Sequence, residues 1–104
     1  HPDWAATDLA SLRACATGST DVPLPLIEAL HARGLPVIQI YGATETGPVA
    51  IYQRIEEAFS HAGGIGRRGV ETEIRLVDEQ GQDVPDGTPG EVLVRGAHCA
   101  LGYW

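Results

Sequence analysis

An ordered strand–helix–strand pattern with short links, spread over residues 13–41, constrains this chain more than any other feature. Residues 13–17 (RACAT) make a short apolar segment that ends at Gly18. The run STDVPLPLIEALHARG follows, with helix-start chemistry at Thr20 or Asp21 and prolines where a first turn tolerates them. Leu26, Ile27 and Leu30 lie at one-face spacing, and Gly34 then Pro36 stop the helix. Val37–Tyr41 is a second β-favouring run. This order predicts a parallel βαβ unit. Ligand-handling residues in such units gather at the carboxyl ends of the strands. Gly18-Ser19-Thr20 and residues 42–46 (GATET) both fall there, so two small-polar loops should lie side by side.

The sequence changes character near residue 63. Residues 1–62 read as a partial α/β subdomain and residues 63–104 as part of a small antiparallel β subdomain. YQRIEEAFSHAGG has weak periodicity and suits a short helix or a loop. Residues 73–78 (EIRLVD) alternate, with Ile74 and Leu76 on one face, and residues 91–95 (EVLVR) do the same after Gly/Pro/Asp-rich links. Two such strands predict an antiparallel meander. The fold class expected is therefore α/β, a βαβ fragment of a layered parallel subdomain running into antiparallel β structure. Gly64-Ile65-Gly66-Arg67-Arg68-Gly69 formally matches G-x-G-x-x-G. In a dinucleotide fold that motif follows a strand and opens a helix. Here the order is reversed, so the glycines are expected to shape a crossover between the two halves.

Charge narrows the function. All seven basic residues are Arg, against fourteen acids, for a formal net charge of −7. That balance repels phosphate backbones and anionic membranes, and leaves open a nucleotide held by backbone amides and a metal ion. No apolar run approaches the roughly 20 residues of a membrane span. Cys15 and Cys99 are far apart, with no C-x-x-C pair, and are expected as buried, reduced thiols of a cytoplasmic protein. His1, His31, His61 and His98 lack ligand spacing.

The stretch IQIYGATETGPVA carries the chemistry. A Thr hydroxyl and a Glu carboxylate beside a strand end suit a phosphate and its Mg²⁺, which prefers hard oxygen ligands. The plain alternative is a turn in which Thr44 caps and Glu45 is solvated.

QIYGATETGPV resembles the Y-G-x-T-E signature of AMP-forming adenylating enzymes: acyl-CoA synthetases, luciferases and peptide-synthetase adenylation domains. The likeness runs along the chain in order. DLASLRACATGSTDVP is similar to the family's upstream strand and Gly-rich loop, GGIGRRGVETEIRLVDEQGQDVPDGTPGEVLVRG to its G-x-x-G … G-E-x-x-V-R-G run, and LGYW to its closing G-Y-W. The resemblance implies that Tyr41 stacks on adenine, Thr44 contacts the phosphates and Glu45 helps hold Mg²⁺. It implies further that backbone around Gly18, Ser19 and Thr20 borders adenine or ribose, and that Gly42 and Ala43 line an acyl pocket. Gly90-Glu91 and Gly102-Tyr103-Trp104 look architectural, and packing roles are expected for Trp4 and Trp104. Ile40 stands where close family members often carry Gly, which would narrow the acyl tunnel. Arg68 stands where Pro is common, read as a surface change. Ala43 leans toward acyl- or aryl-CoA synthetases rather than peptide synthetases.

The family's phosphate loop with its Lys, its T-G-D aspartate and its Lys-bearing mobile domain are not among these motifs. The chain is thus expected to be an internal segment of a ligase that uses ATP, Mg²⁺ and CoA on a carboxylic acid, without turnover by itself. Exposed sheet edges would favour association or domain swapping. The competing expectations are a non-catalytic module for assembly or nucleotide binding, and an amino-acid adenylation domain.

Overall fold

The computed structural model describes all 104 residues. Strand β1 (Cys15–Thr17) pairs in parallel with β2 (Val37–Tyr41), in register Cys15 with Val37 and Thr17 with Gln39. Helix α1 (Leu24–His31) connects them and packs against β2, which is the expected βαβ unit. The helix starts later than the Thr20 or Asp21 expected, because Pro23 holds Val22 out of helical conformation. Pro23 is the N-cap and supplies no side-chain hydrogen bond. The stop is where the sequence put it. Gly34 adopts φ 75°, and the Gly34 and Leu35 amides return to the His31 and Leu30 carbonyls.

Beyond β2 the sheet departs from expectation. The chain doubles back through residues 42–50 into β3 (Ile51–Tyr52), antiparallel to β2, and β4 (Arg67–Arg68) adds antiparallel to β3. The four strands are ordered β1-β2-β3-β4, so the sheet is mixed rather than purely parallel and continues past residue 63. The weakly periodic segment after Tyr52 is one turn of 3-10 helix, Ile55–Glu57, followed by loop. Residues 64–66 lead into β4 beside β3 in the same sheet, so they close a return loop and not the expected crossover between the two halves.

A second sheet pairs β5 (Glu73–Val77) with β6 (Glu91–Arg95) in antiparallel register, as expected, with Ile74 opposite Val94 and Leu76 opposite Val92. Its first rung joins the Glu73 carboxylate to the Arg95 guanidinium. That partner holds Glu73 below and Arg95 above their ordinary values.

The core is small and centred on the first sheet: Ile27, Leu35, Val37, Ala50, Ile51 and Ala58, with Val77 under the second sheet. Accessible surface totals 7808 Å². A globule of this mass, 11.0 kDa, exposes about 5,600 Å². The radius of gyration is 16.3 Å, against about 13 Å for a compact chain of this length. Leu76 and Leu93 on the second sheet and Leu101 and Trp104 after it remain exposed. Trp104, expected to pack, therefore packs on nothing here, whereas Trp4 lies under the Arg33 guanidinium at 4.8 Å. Cys15 and Cys99 are unpaired and half-buried rather than buried.

The one-face spacing of Leu26, Ile27 and Leu30 is only partly realised, since Ile27 is 1% exposed and Leu26 55%. Ile27→Ala should cost the 104-residue chain about 2–4 kcal/mol in denaturant unfolding. Leu26→Ala should change it by less than about 0.5 kcal/mol.

Candidate functional site

The carboxyl ends of β1 and β2 open into one cavity of about 360 Å³, lined by Gly18, Ser19, Thr20, Asp21, Gln39, Ile40, Tyr41, Gly42, Gly63 and Ile65. Parallel pairing puts the two loops side by side, and steric need selects their small residues. A Cβ on Gly18 would sit 2.6 Å from the Ile40 carbonyl oxygen and 2.7 Å from Ile40 Cγ1. A Cβ on Gly42 would sit 1.8 Å from the Pro48 carbonyl oxygen, where the chain returns toward β3. Neither position tolerates a side chain without backbone movement. Ser19 holds φ 66°, a left-handed conformation that costs a non-glycine residue roughly 1 kcal/mol.

Behind the cavity two buried glutamines fix the wall. Gln53 Oε1 accepts from the Gln39 amide at 3.2 Å, and Gln53 Nε2 donates to the His61 carbonyl at 2.7 Å. Gln39 Nε2 donates to the Gly64 carbonyl at 3.1 Å, which draws the 61–65 loop against the strand and brings Gly63 and Ile65 to the lining.

Ala43, Thr44 and Glu45 do not line this cavity. They follow Gly42 directly, on an exposed 3-10 turn over Thr44–Thr46. Thr46, not Thr44, pins that turn: its hydroxyl accepts from the Ala43 amide at 2.8 Å and donates to the Ala43 carbonyl at 3.0 Å. The capping role considered for Thr44 is thereby taken by its neighbour. Nor is Glu45 merely solvated. The Tyr103 hydroxyl donates to Glu45 Oε1 at 2.7 Å, and the Ala100 amide donates to the Glu45 carbonyl at 2.8 Å. The Tyr103 hydroxyl, then the backbone, hold the Glu45 carboxyl below its ordinary value, and the carboxylate in turn holds the Tyr103 phenol above its own. Glu45 is thus an exposed anion at neutral pH.

The donor set fits one kind of cation. No cluster of three or more His, Cys, Asp or Glu side chains exists to cage a metal. A single exposed carboxylate with one side-chain partner, next in sequence to a Thr, suits Mg²⁺, which keeps waters and leans on substrate phosphates. The histidines serve structure: His31 Nε2 accepts from the Val37 amide at 3.2 Å, and His98 Nε2 meets Thr72 Oγ1 at 2.7 Å.

Sequence reasoning found six lining residues, Gly18, Ser19, Thr20, Ile40, Tyr41 and Gly42. It missed Asp21, Gln39, Gly63 and Ile65, and the tie from Tyr103 to Glu45. A glutamine inside an otherwise apolar strand was the one available signal, since a buried amide demands partners.

Gly42→Ala should lower stability by about 1–3 kcal/mol as the 42–48 backbone is forced apart. In a chain of this size that is a fall of about 4–8 °C in unfolding midpoint per kcal/mol, read by thermal melting.

Comparison with known proteins agrees with this geometry. A family profile described as "AMP-binding enzyme" matches residues 1–104. The chain is 47% identical over its whole length to an indoleacetate–CoA ligase of Aromatoleum aromaticum, of which it covers 20%. It is 36% identical over its whole length to a feruloyl-CoA synthase of Amycolatopsis, of which it covers 21%. Among solved structures, it superposes along all its length on 20% of the anthranilate CoA ligase AuaEII, solved with anthranoyl-AMP, at TM-score 0.90 and 34% identity. Over 92% of its length it matches 20% of the O-succinylbenzoate coenzyme A synthetase of Bacillus subtilis, solved with ATP and magnesium, at TM-score 0.78 and 30% identity. The chain thus spans about a fifth of the length of these relatives. With a profile match from end to end and the paired strand-end loops in position, this chain belongs to the AMP-binding enzyme family.

Proposed function

We propose that the chain is a central segment of an AMP-forming acid–CoA ligase. The parent reaction joins a carboxylate to ATP, giving an acyl-adenylate and pyrophosphate, and then a CoA thioester. The observation that carries this reading is the single cavity built by both strand-end loops, followed directly by the Thr44–Glu45 turn. In this role Tyr41 stacks on adenine, and backbone at Gly18, Ser19 and Thr20 borders adenine or ribose. Thr44 faces the phosphates, and Glu45 helps hold Mg²⁺, which when bound neutralises charge on them. Ile40, Gly42 and Ala43 form the start of the acyl pocket. The chain's own residues orient the nucleotide and present one anion. Positioning and cationic stabilisation do the rest of adenylation, and much of that lies in other parts of a ligase.

The acid we favour is an aryl carboxylate. Support comes from three of the relatives, whose names specify indoleacetate, ferulate and anthranilate, and from the Ile40 side chain standing in the cavity against Gly18. A flat ring tolerates a shallow pocket better than a long alkyl chain does. We propose further that residues 1–62 and 63–104 belong to successive subdomains, with β4 reaching back to pair in the first sheet, and that the ligase is cytoplasmic. No helix is long and apolar enough to cross a membrane. The excess exposed surface supports self-association of the isolated segment.

ATP–pyrophosphate exchange by the intact ligase tests the reading. Aryl acids should support exchange better than fatty acids. Glu45→Gln should reduce it by about 10²–10³-fold, the scale of losing a charge-stabilising group. Undiminished exchange in Glu45→Gln would sink the assignment. The 104-residue segment alone should show no exchange, and its light-scattering mass should rise with concentration.

A further inference from the structure

We infer that Tyr103 is a positioning residue for Glu45, fixing which carboxylate oxygen is offered to the cation and phosphates; this rests on the functional reading above. An exposed glutamate ordinarily samples many rotamers. Here Oε1 is held by the Tyr103 hydroxyl at 2.7 Å, from 58 residues away in sequence, and no other side chain binds the carboxylate.

The contact is one of three that the segment after β6 makes with the same turn. The Ala100 amide donates to the Glu45 carbonyl at 2.8 Å. Gly47 lies so near His98 that a Cβ there would be 2.5 Å from the His98 carbonyl oxygen. His98 is itself anchored by buried Thr72, just before β5. Backbone contacts therefore seat the turn, and Tyr103 adds orientation of the side chain.

The chemistry of the donor is informative. An arginine in this position would neutralise the carboxylate and compete with a cation. A phenol donates one hydrogen bond and leaves the negative charge in place. Five of the seven arginines, Arg33, Arg67, Arg68, Arg75 and Arg95, are engaged elsewhere, and none makes an ion pair with Glu45. Partners that orient a metal's carboxylate ligand govern metal affinity even though they never touch the metal.

Tyr103→Phe in the intact ligase tests this. The Mg²⁺ concentration for half-maximal pyrophosphate exchange should rise about 10–100-fold, with the KM for the carboxylic acid unchanged. Mn²⁺ binding to the enzyme with a non-hydrolysable ATP analogue, followed by electron paramagnetic resonance, should weaken in parallel. Hydrogen exchange at the Ala43, Thr46 and Gly47 amides should stay protected, because their bonds to the Thr46 hydroxyl, the Ala43 carbonyl and the Thr44 carbonyl remain. Metal affinities within about twofold of the parent's would overturn the inference. So would loss of protection with loss of activity at every Mg²⁺ concentration, which would make Tyr103 a fastener only. If Glu45→Gln abolishes exchange while Tyr103→Phe does nothing, the inference fails and the ligase reading stands. If Glu45→Gln is also silent, both fall.

Discussion

The buried glutamine pair between β2 and β3 is the interaction on which the rest of this fold depends. β2 has a parallel neighbour on one side and an antiparallel one on the other. At Gln39 the antiparallel ladder is about to end. The Gln53 amide still donates to the Gln39 carbonyl at 2.9 Å, but the reciprocal bond is made by the Gln53 side chain instead of its backbone. That substitution lets the chain leave the sheet after Tyr52 without orphaning a buried amide. The remaining amide hydrogens of the two side chains then tie down the 61–64 loop. Every polar side-chain atom buried here has a partner. Such a network is stabilising only when complete, because a half-satisfied one leaves polar atoms unpaired in a low dielectric.

From that wall outward, close backbone approach dictates composition. An apolar strand empties into Gly, Ala and hydroxylated residues at Tyr41 because the chain must make a reversal there while staying against its neighbours. Gly18 admits Ile40, and Gly42 admits the returning Pro48 carbonyl. The same tightness leaves a cavity lined by three glycines, small polar residues, two isoleucines and one aromatic ring. A site of this kind holds a planar, polar ligand through backbone groups and stacking, with little need for basic side chains. A chain carrying a net charge of −7 can therefore serve a nucleotide.

What was legible in the sequence follows the range of the physics. The βαβ unit and the antiparallel β5–β6 pair rest on local periodicity, and Gly34 ends the helix through its own left-handed geometry. All of these could be read residue by residue. The start of α1 was misjudged because Pro23 acts on Val22 more strongly than Thr20 or Asp21 could act as caps. β3 and β4 were missed because two-residue strands have no periodicity; they exist only through pairing with β2. Leu26 reads like Ile27 in a helical pattern, and only the position of the sheet decides which is covered. In the site, residues adjacent to strand ends were found, while Gln39 and Tyr103 act through partners that sequence does not reveal.

The turn that bears Glu45 shows why the two sheets occur in one segment. It leaves the first sheet at Tyr41 and returns at Ile51, yet its outer side is held by the segment that follows the second sheet, through Ala100 and Tyr103. Thr72 binds that segment in turn to the start of β5. The Thr44–Thr46 turn alone has one hydroxyl clasp and a few backbone bonds, too little to hold an exposed carboxylate in a single orientation. Its geometry is therefore a property of the junction between the sheets. Any motion of the second sheet relative to the first would be felt at Glu45 before it reached the cavity, which is walled by the first sheet and its loops alone.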